Sequence, residues 1–262
     1  MEKLDRLRQA IGEKRRLLVL FSGGLDSTVL AKVAHDVLKE EACALTFDSP
    51  IIPSGDLAEA RSLAALIGIR HVAIHMDELS EPGFAMNPPD RCYLCRKSRD
   101  AKAIAWAHDN GFMAVADGLN ASDLSDYRPG MKAAREDHIW QPFADLGVTK
   151  DELRVWAREM GLPIWDKPNT VCLCSRFPYG FPLEADLLRR VEEAEAFLKR
   201  FGFKQVRVRY FPYDTALIEV DDLDAVLHYK EDIRKHLRSL GFSFITLDLE
   251  GFASGKLNRL LD

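Results

Sequence analysis

Two groups of residues in this chain are of types and spacings that could do chemistry. The first is Ser22-Gly23-Gly24-Leu25-Asp26-Ser27, set between an apolar run and a helical pattern. Its two glycines let the backbone approach an anion with no Cβ in the way. Backbone N–H groups, the Ser22 and Ser27 hydroxyls and the N-terminus of the following helix can then converge on a phosphate. Asp26 is itself an anion and suits a different task, holding a magnesium ion that bridges phosphate oxygens. The Gly-Lys-Ser/Thr ending of a Walker A loop is missing, and the segment is not a dinucleotide fingerprint either. The plain alternative is a tight strand-to-helix turn capped by serine.

The second group is the cysteines. Arg91-Cys92-Tyr93-Leu94-Cys95 contains a CxxC that follows Asn87-Pro88-Pro89 and leads into a helix, and Cys172-Leu173-Cys174 is a CxC. Cys43 sits inside an apolar strand pattern and reads as core. A CxxC alone could be a redox pair. Four thiolates would make a closed tetrahedral zinc site, whereas three can hold a 4Fe–4S cluster and leave one iron open. In an extended segment Cys172 and Cys174 would point to the same side. Spacing therefore leaves zinc, iron–sulfur and independent thiols all open. Further on, Arg207 and Arg209 alternate with Val206, Val208 and Tyr210. Two guanidiniums on one strand face can grip a phosphate, or they can simply form a solvated face.

The elements that must position these residues follow from hydrophobic periodicity. Residues 17–21, 43–47, 72–75 and 114–117 read as buried strands, with a short fifth strand over 139–141. Residues 27–40, 56–67 and 97–110 read as the helices between them. A last helix over 149–160 opens with a Thr149/Glu152 capping box and stops at Gly161-Leu162-Pro163. Strand–helix alternation implies a parallel sheet with helices on both faces. Such sheets bind ligands at the carboxyl ends of their strands. Thr46-Phe47-Asp48-Ser49 and Asp117-Gly118 fall at such ends, beside the Ser22–Ser27 loop. Beyond Pro168 the pattern changes. Residues 171–183 read as a loop, followed by a helix through Leu187, Val191, Ala194 and Leu198, strands over 205–210 and 216–220, a helix over 223–240 and a strand over 244–249. The expected organisation is an α/β domain over 1–166 and a smaller α+β domain over 167–262, with the linker near 166–170.

Bulk properties narrow the class. The 262 residues are 47% hydrophobic and carry a formal net charge of -5. That charge argues against a general nucleic-acid binder, which needs clustered excess Lys and Arg. Residues 1–16 are charged and lack an apolar core of the signal-peptide kind, and no apolar run approaches the roughly 20 residues of a membrane span. A cytoplasmic protein is expected, with the five cysteines as thiols, metal ligands or catalytic groups and not as disulfides.

Several segments then occur in one order: Ser22–Ser27, Asp126-Tyr127-Arg128-Pro129-Gly130, Cys172-Leu173-Cys174-Ser175-Arg176-Phe177-Pro178-Tyr179-Gly180, Val206-Arg207-Val208-Arg209 and Thr246-Leu247-Asp248-Leu249. The first matches every defined position of the PP-loop, SGGxDS, of the ATP pyrophosphatase superfamily, which is adenine nucleotide α-hydrolase-like in fold. Together they resemble the LarE-type sulfur transferases over nearly the whole chain.

The resemblance implies that ATP adenylates a carboxylate of a pyridinium dicarboxylate mononucleotide, releasing pyrophosphate. A sulfur donor then displaces AMP to give a thiocarboxylate, in nickel-pincer nucleotide biosynthesis for lactate racemase. The superfamily implies an ATP site of Ser22, Gly23, Gly24, Ser27, Phe47, Asp48 and Gly118, with Asp26 on magnesium. The family implies a substrate-phosphate site of Ser175, Arg176, Arg207 and Arg209, and a metal-associated Glu195. Arg128 would neutralise pyrophosphate charge, or pair with Asp123 or Asp126. One branch of the family sacrifices a single cysteine as sulfur source, and the other holds a 4Fe–4S cluster on three. Cys92, Cys95 and Cys172 match the cluster branch. Cys174 is an added cysteine that could replace Cys172 or close a fourth site, with zinc as the alternative metal. The family forms higher oligomers, so a homo-oligomer is expected. Competing readings are a PP-loop enzyme that thiolates tRNA and a non-catalytic ATP-binding protein with a structural zinc.

Overall fold

A computed structural model describes residues 2–125, 129–167, 171–253 and 255–260. The chain divides into two compact units. The first comprises Met1–Ser49, Ser54–Met76 and Asp90–Thr170, and the second comprises Pro50–Pro53, Asp77–Pro89 and Val171–Asp262.

The first unit begins with α1 (Glu2–Glu13), β1 (Leu17–Leu20), α2 (Leu25–Leu38), β2 (Ala42–Asp48), α3 (Ser54–Ile67) and β3 (Arg70–His75). It continues with α4 (Arg91–Asp109), β4 (Ala114–Ala116), α5 (Pro129–Glu136), α6 (Pro142–Asp145) and α7 (Lys150–Glu159). Its sheet has the order β3-β2-β1-β4 and every pairing is parallel. Leu17, Val19, Ala42 and Ala44 pack on one face under α1, α2, α3 and α7. Leu18, Cys43 and Leu45 pack on the other face against Ala103 and Ala107 of α4 and Ala134 of α5. Both faces are thus covered, which is why the strands read as continuous apolar runs. The chain leaves β3 at one edge and returns as β4 beyond β1, so the topological switch lies between β1 and β4.

Two details depart from the sequence expectation here. Residues 139–141 form only an isolated bridge, Ala116 to Trp140, so the sheet has four strands. His138 adopts φ 56° just before this segment and Pro142 begins α6 just after it, which leaves no room for a ladder. Helix α4 starts at Arg91 and not at 97, because the Tyr93 and Leu94 amides bond to the Asp90 carbonyl. The CxxC therefore forms the first turn of the helix.

The second unit contains α8 (Ala185–Lys199), β5 (Val206–Phe211), β6 (Thr215–Val220), α9 (Leu223–His228), α10 (Lys230–Ser239) and β7 (Phe244–Leu247). Strand β6 pairs antiparallel with β5 and parallel with β7. The helix expected over 223–240 breaks at Tyr229, whose ring stacks on Phe201 at 4.5 Å. The CxC segment is not extended either. Residues Leu173–Arg176 form a 3-10 turn with Cys172 as its N-cap. Among the described residues no helix is long and apolar enough to cross a membrane.

Candidate active site

In the first unit the Ser22–Ser27 loop joins β1 to α2 at the switch point. Its shape is held by its own serines. The Ser27 hydroxyl lies 3.2 Å from the Ser22 hydroxyl, accepts from the Ser22 N–H and donates to the Gly24 carbonyl, while the Gly24 N–H donates to Ser22 Oγ. Gly23 has φ 71°, and a Cβ there would meet the Ala60 backbone at 3.2 Å. Gly118 at the end of β4 is a close approach of another kind. A Cβ on it would lie 2.8 Å from the Ser27 nitrogen and 2.9 Å from the Asp26 carbonyl carbon. Two backbones thus meet where the first turn of α2 leaves N–H groups without intrahelical acceptors. This is a cradle that side chains would fill, and it fits a polyphosphate.

Asp26 stands in the cradle's first helical turn. Burial holds its carboxyl above the usual range, against the pull of Lys150, whose Nζ lies 2.7 Å away. A carboxylate oxygen pair here fits magnesium on oxygen-ligand grounds. A second lysine, Lys167, reaches the loop as well, donating to Glu59 at 2.6 Å and to the Gly23 carbonyl at 3.4 Å. Sequence reasoning passed over both lysines. Lys150 had left a signal: it is the first residue of α7, where the helix dipole disfavours a cation. Phe47 and Asp48 end β2, with the Arg99 guanidinium 5.5 Å from the Phe47 ring centre and Asp48 exposed. Arg128 lies outside the described residues.

Cys92 is exposed and Cys95 partly so, one helical turn apart on α4. Positions i and i+3 share a helix face, so both thiols can serve one ligand. The same helix is tied to the switch point. Arg96 donates to Asp100 at 2.7 Å and to Asp117 at 2.6 Å, and Asp117 also accepts from the Leu119 amide. Burial raises the Asp100 carboxyl despite Arg96. Gly130, at the start of α5, is where a Cβ would come within 3.4 Å of the Cys92 carbonyl, so the glycine of Asp-Tyr-Arg-Pro-Gly lets α5 close on the CxxC turn.

The second unit gathers the remaining candidates. Arg176 donates to both Glu195 oxygens at 2.9 Å, and Glu195 also accepts from the Val208 amide. Glu195 is 4% exposed, so its helix does not present it to solvent. Arg209 is also buried. It pairs with Glu219, donating to Oε2 at 3.0 Å, and donates to the Ser175 carbonyl at 3.0 Å. The strand face expected to offer Arg207 and Arg209 together therefore offers them unequally. The signal for this was Glu219, a carboxylate inside the apolar strand Ala-Leu-Ile-Glu-Val, where burial requires a paired cation. Cys172 is partly exposed, whereas Cys174 is buried. Asn87, in the left-handed region at φ 51°, holds the loop that follows by donating to the Phe177 and Pro178 carbonyls. Among the described residues no three His, Cys, Asp or Glu side chains group as a metal site, and no cysteine is in a disulfide.

Comparison with known proteins places this geometry. Residues 5–82, which contain the glycine loop, match the asparagine synthase family. The chain is 36% identical to a pyridinium-3,5-bisthiocarboxylic acid mononucleotide synthase of Lactiplantibacillus plantarum, over 96% of this chain and 92% of the relative. It is 42% identical to an uncharacterized protein of Synechocystis sp., over 99% and 98% of the two chains. A tRNA-specific 2-thiouridylase of Caulobacter sp. is 28% identical over 65% of this chain and 52% of its own length. With a nucleotide loop at the switch point and likeness running nearly end to end, the chain belongs to the LarE-type family of adenylating, ATP-dependent sulfur transferases within the PP-loop superfamily.

Proposed function

We propose that this chain uses ATP to adenylate a carboxylate of a pyridinium dicarboxylate mononucleotide, then exchanges AMP for sulfur to give a thiocarboxylate, as a step of nickel-pincer nucleotide assembly. The observation that carries the reading is the near full-length likeness to the bisthiocarboxylic acid mononucleotide synthase. The chemistry is balanced without a redox step. The carboxylate oxygen attacks the α-phosphorus and pyrophosphate leaves. Sulfide-level sulfur then attacks the acyl carbon and AMP leaves with the former carboxylate oxygen. A carboxylate is a poor electrophile, and adenylation supplies the leaving group.

In this reading residues 1–166 bind ATP and residues 167–262 hold the substrate. Ser22, Gly23, Gly24 and Ser27 cradle the phosphates, Phe47, Asp48 and Gly118 border the nucleoside, and Asp26 holds magnesium. Lys150 and Lys167, now on Asp26 and Glu59, take up charge as pyrophosphate forms. Arg128 serves the same end. Ser175, Arg176, Arg207 and Arg209 form the substrate-phosphate cluster, with Glu195 inside it. The sulfur-transfer ligands are Cys92, Cys95 and Cys172, whose thiolate chemistry suits a 4Fe–4S cluster. Cys172 is favoured over Cys174 because it is the more accessible of the two. Such a cluster would supply sulfide-level sulfur to the acyl-adenylate. The working form is a homo-oligomer.

Two measurements test the reading. ATP–pyrophosphate exchange should depend on an added pyridinium carboxylate mononucleotide, and exchange without it, or none with it, would contradict the adenylation step. Anaerobic preparations should be brown and contain iron, and Cys92→Ala should abolish multiple turnovers. An iron-free, zinc-replete protein that still transfers sulfur would exclude the cluster.

A further inference from the structure

Asp100 and Asp117 of the first unit are buried, at 0% and 6% exposure, and both face one guanidinium. Among the described residues Arg96 is the one cation paired with either carboxylate. Its Nε donates to the two Asp100 oxygens, at 2.8 and 2.7 Å, and its Nη2 donates to Asp117 at 2.6 Å. With both carboxylates ionised, the group buries one negative charge more than it neutralises. Burial holds the Asp100 carboxyl above its usual range despite Arg96, and the nearby Asp117 charge adds to the rise. Such a surplus is costly, and a plain structural pin on α4 needs only one of the two carboxylates.

What the second carboxylate adds follows from where the two ends lie. Arg96 directly follows Cys95 and stands one helical turn beyond Cys92, on the same face of α4. Gly130 of α5 rests against both: a Cβ on it would lie 3.4 Å from the Cys92 carbonyl oxygen and 3.7 Å from Arg96 Cβ. At the other end Asp117 accepts from the Leu119 amide at 3.0 Å and from Gln141 at 3.3 Å, and its own amide donates to the Trp140 carbonyl at 3.0 Å. The next residue is Gly118, the wall of the cradle, whose missing Cβ leaves room beside Asp26 and Ser27. One side chain thus runs from the cysteine turn to the wall of the phosphate cradle. Its fork can keep Asp100 while Asp117 is engaged or released, so the link has two discrete states. A triphosphate beside Gly118 brings negative charge toward Asp117 and deepens the potential that holds Arg96 there.

Resting on the reading of the cradle as the ATP site, we propose that Arg96 is a positioning residue that couples the cradle to the cysteine turn: nucleotide in the cradle tightens Arg96 on Asp117 and so stiffens the first turn of α4, which carries Cys92 and Cys95. The coupling is reciprocal, so a change of state at the cysteine turn alters nucleotide affinity by the same factor.

The test is amide hydrogen exchange of the full chain over residues 91–97, with and without saturating magnesium α,β-methylene-ATP, whose binding is followed separately by calorimetry. Wild type should exchange there at least about threefold more slowly with the nucleotide bound. Two variants separate the link from the packing. Asp117→Ala and Asp100→Ala each remove one carboxylate and leave Arg96 in a one-to-one pair, so neither strands a charge. Asp117→Ala should abolish the slowing, whereas Asp100→Ala should keep it within about twofold of wild type. If Asp117→Ala does not fold, Arg96→Lys, whose ammonium lacks the fork that spans both carboxylates, carries the same expectation. Slowing that survives the cut link, or that is lost alike in Asp100→Ala, overturns the coupling. So does a wild type that binds the nucleotide with no change over this turn. Each of these results leaves the ATP reading standing. Failure of wild type to bind the nucleotide overturns that reading and this inference with it.

Discussion

The nucleotide loop of the first unit and the cysteine loop of the second are held in shape by opposite means. Around Ser22–Ser27 the work is done by backbone. Two glycines allow close approach, two serine hydroxyls close the turn, and the charged groups Asp26, Lys150 and Lys167 remain partly exposed. Around Cys172–Arg176 the work is done by buried ion pairs whose side chains are 8% exposed or less. The first arrangement keeps its charges near water, where they can exchange one anion for another at little cost. The second removes charges from water, where each pair must stay complete. Charge changes in the nucleotide loop should therefore alter ligand binding and chemistry, and charge changes in the cysteine loop should alter folding.

The largest contrast comes from removing one partner of a buried pair. Arg176→Met strands Glu195 and should cost about 3–5 kcal/mol of stability, seen in denaturant titration of the full chain. A loss below about 1 kcal/mol would place this pair with exposed ones. Next is Asp26→Asn. It should leave the melting temperature nearly unchanged while magnesium-dependent ATP cleavage falls by about 10²–10³-fold, the usual range for losing one group that stabilises transition-state charge. A folding defect without a catalytic one would reverse the comparison. A smaller effect is expected for Lys150→Met, which should weaken pyrophosphate binding about tenfold and leave the fold intact, as calorimetry with pyrophosphate can read. The smallest concerns Cys43, whose thiol burial pushes up to about 11. A raised pKa leaves little thiolate at pH 8, so iodoacetamide should label exposed Cys92 well before Cys43.

The same contrast explains what was legible in the sequence. The parallel sheet and its loop were readable because apolar runs, glycine pairs and a capping box are local signals, and each acts within a few residues. Helix α4 was misplaced at its start because the polar run Arg96-Lys97-Ser98-Arg99-Asp100 separates Cys92–Cys95 from the apolar periodicity that follows. The bridge at Trp140 was over-read as a strand because the apolar pair Ile139-Trp140 looks like the start of one, although Pro142 opens a helix two residues later. The arginine cluster was harder still. Alternation in Val206-Arg207-Val208-Arg209 gives two like positions, and only the tertiary partners Glu219 and Phe252 make them unlike. Glu195 posed the same difficulty, since a carboxylate on an amphipathic helix carries no local mark of its buried arginine. Lys167 reaches Gly23 from 144 residues away, and no local pattern encodes such a contact.

The central claim is that the phosphate cradle prepares a carboxylate for sulfur. The most direct measurement is anaerobic mass spectrometry of the reaction of the full chain with ATP, magnesium, sulfide and a pyridinium dicarboxylate mononucleotide. The account predicts a product heavier by the exchange of one oxygen for sulfur, formed together with AMP and pyrophosphate. Release of AMP and pyrophosphate with the mononucleotide returned unchanged, or thiolation of added tRNA in its place, would contradict it.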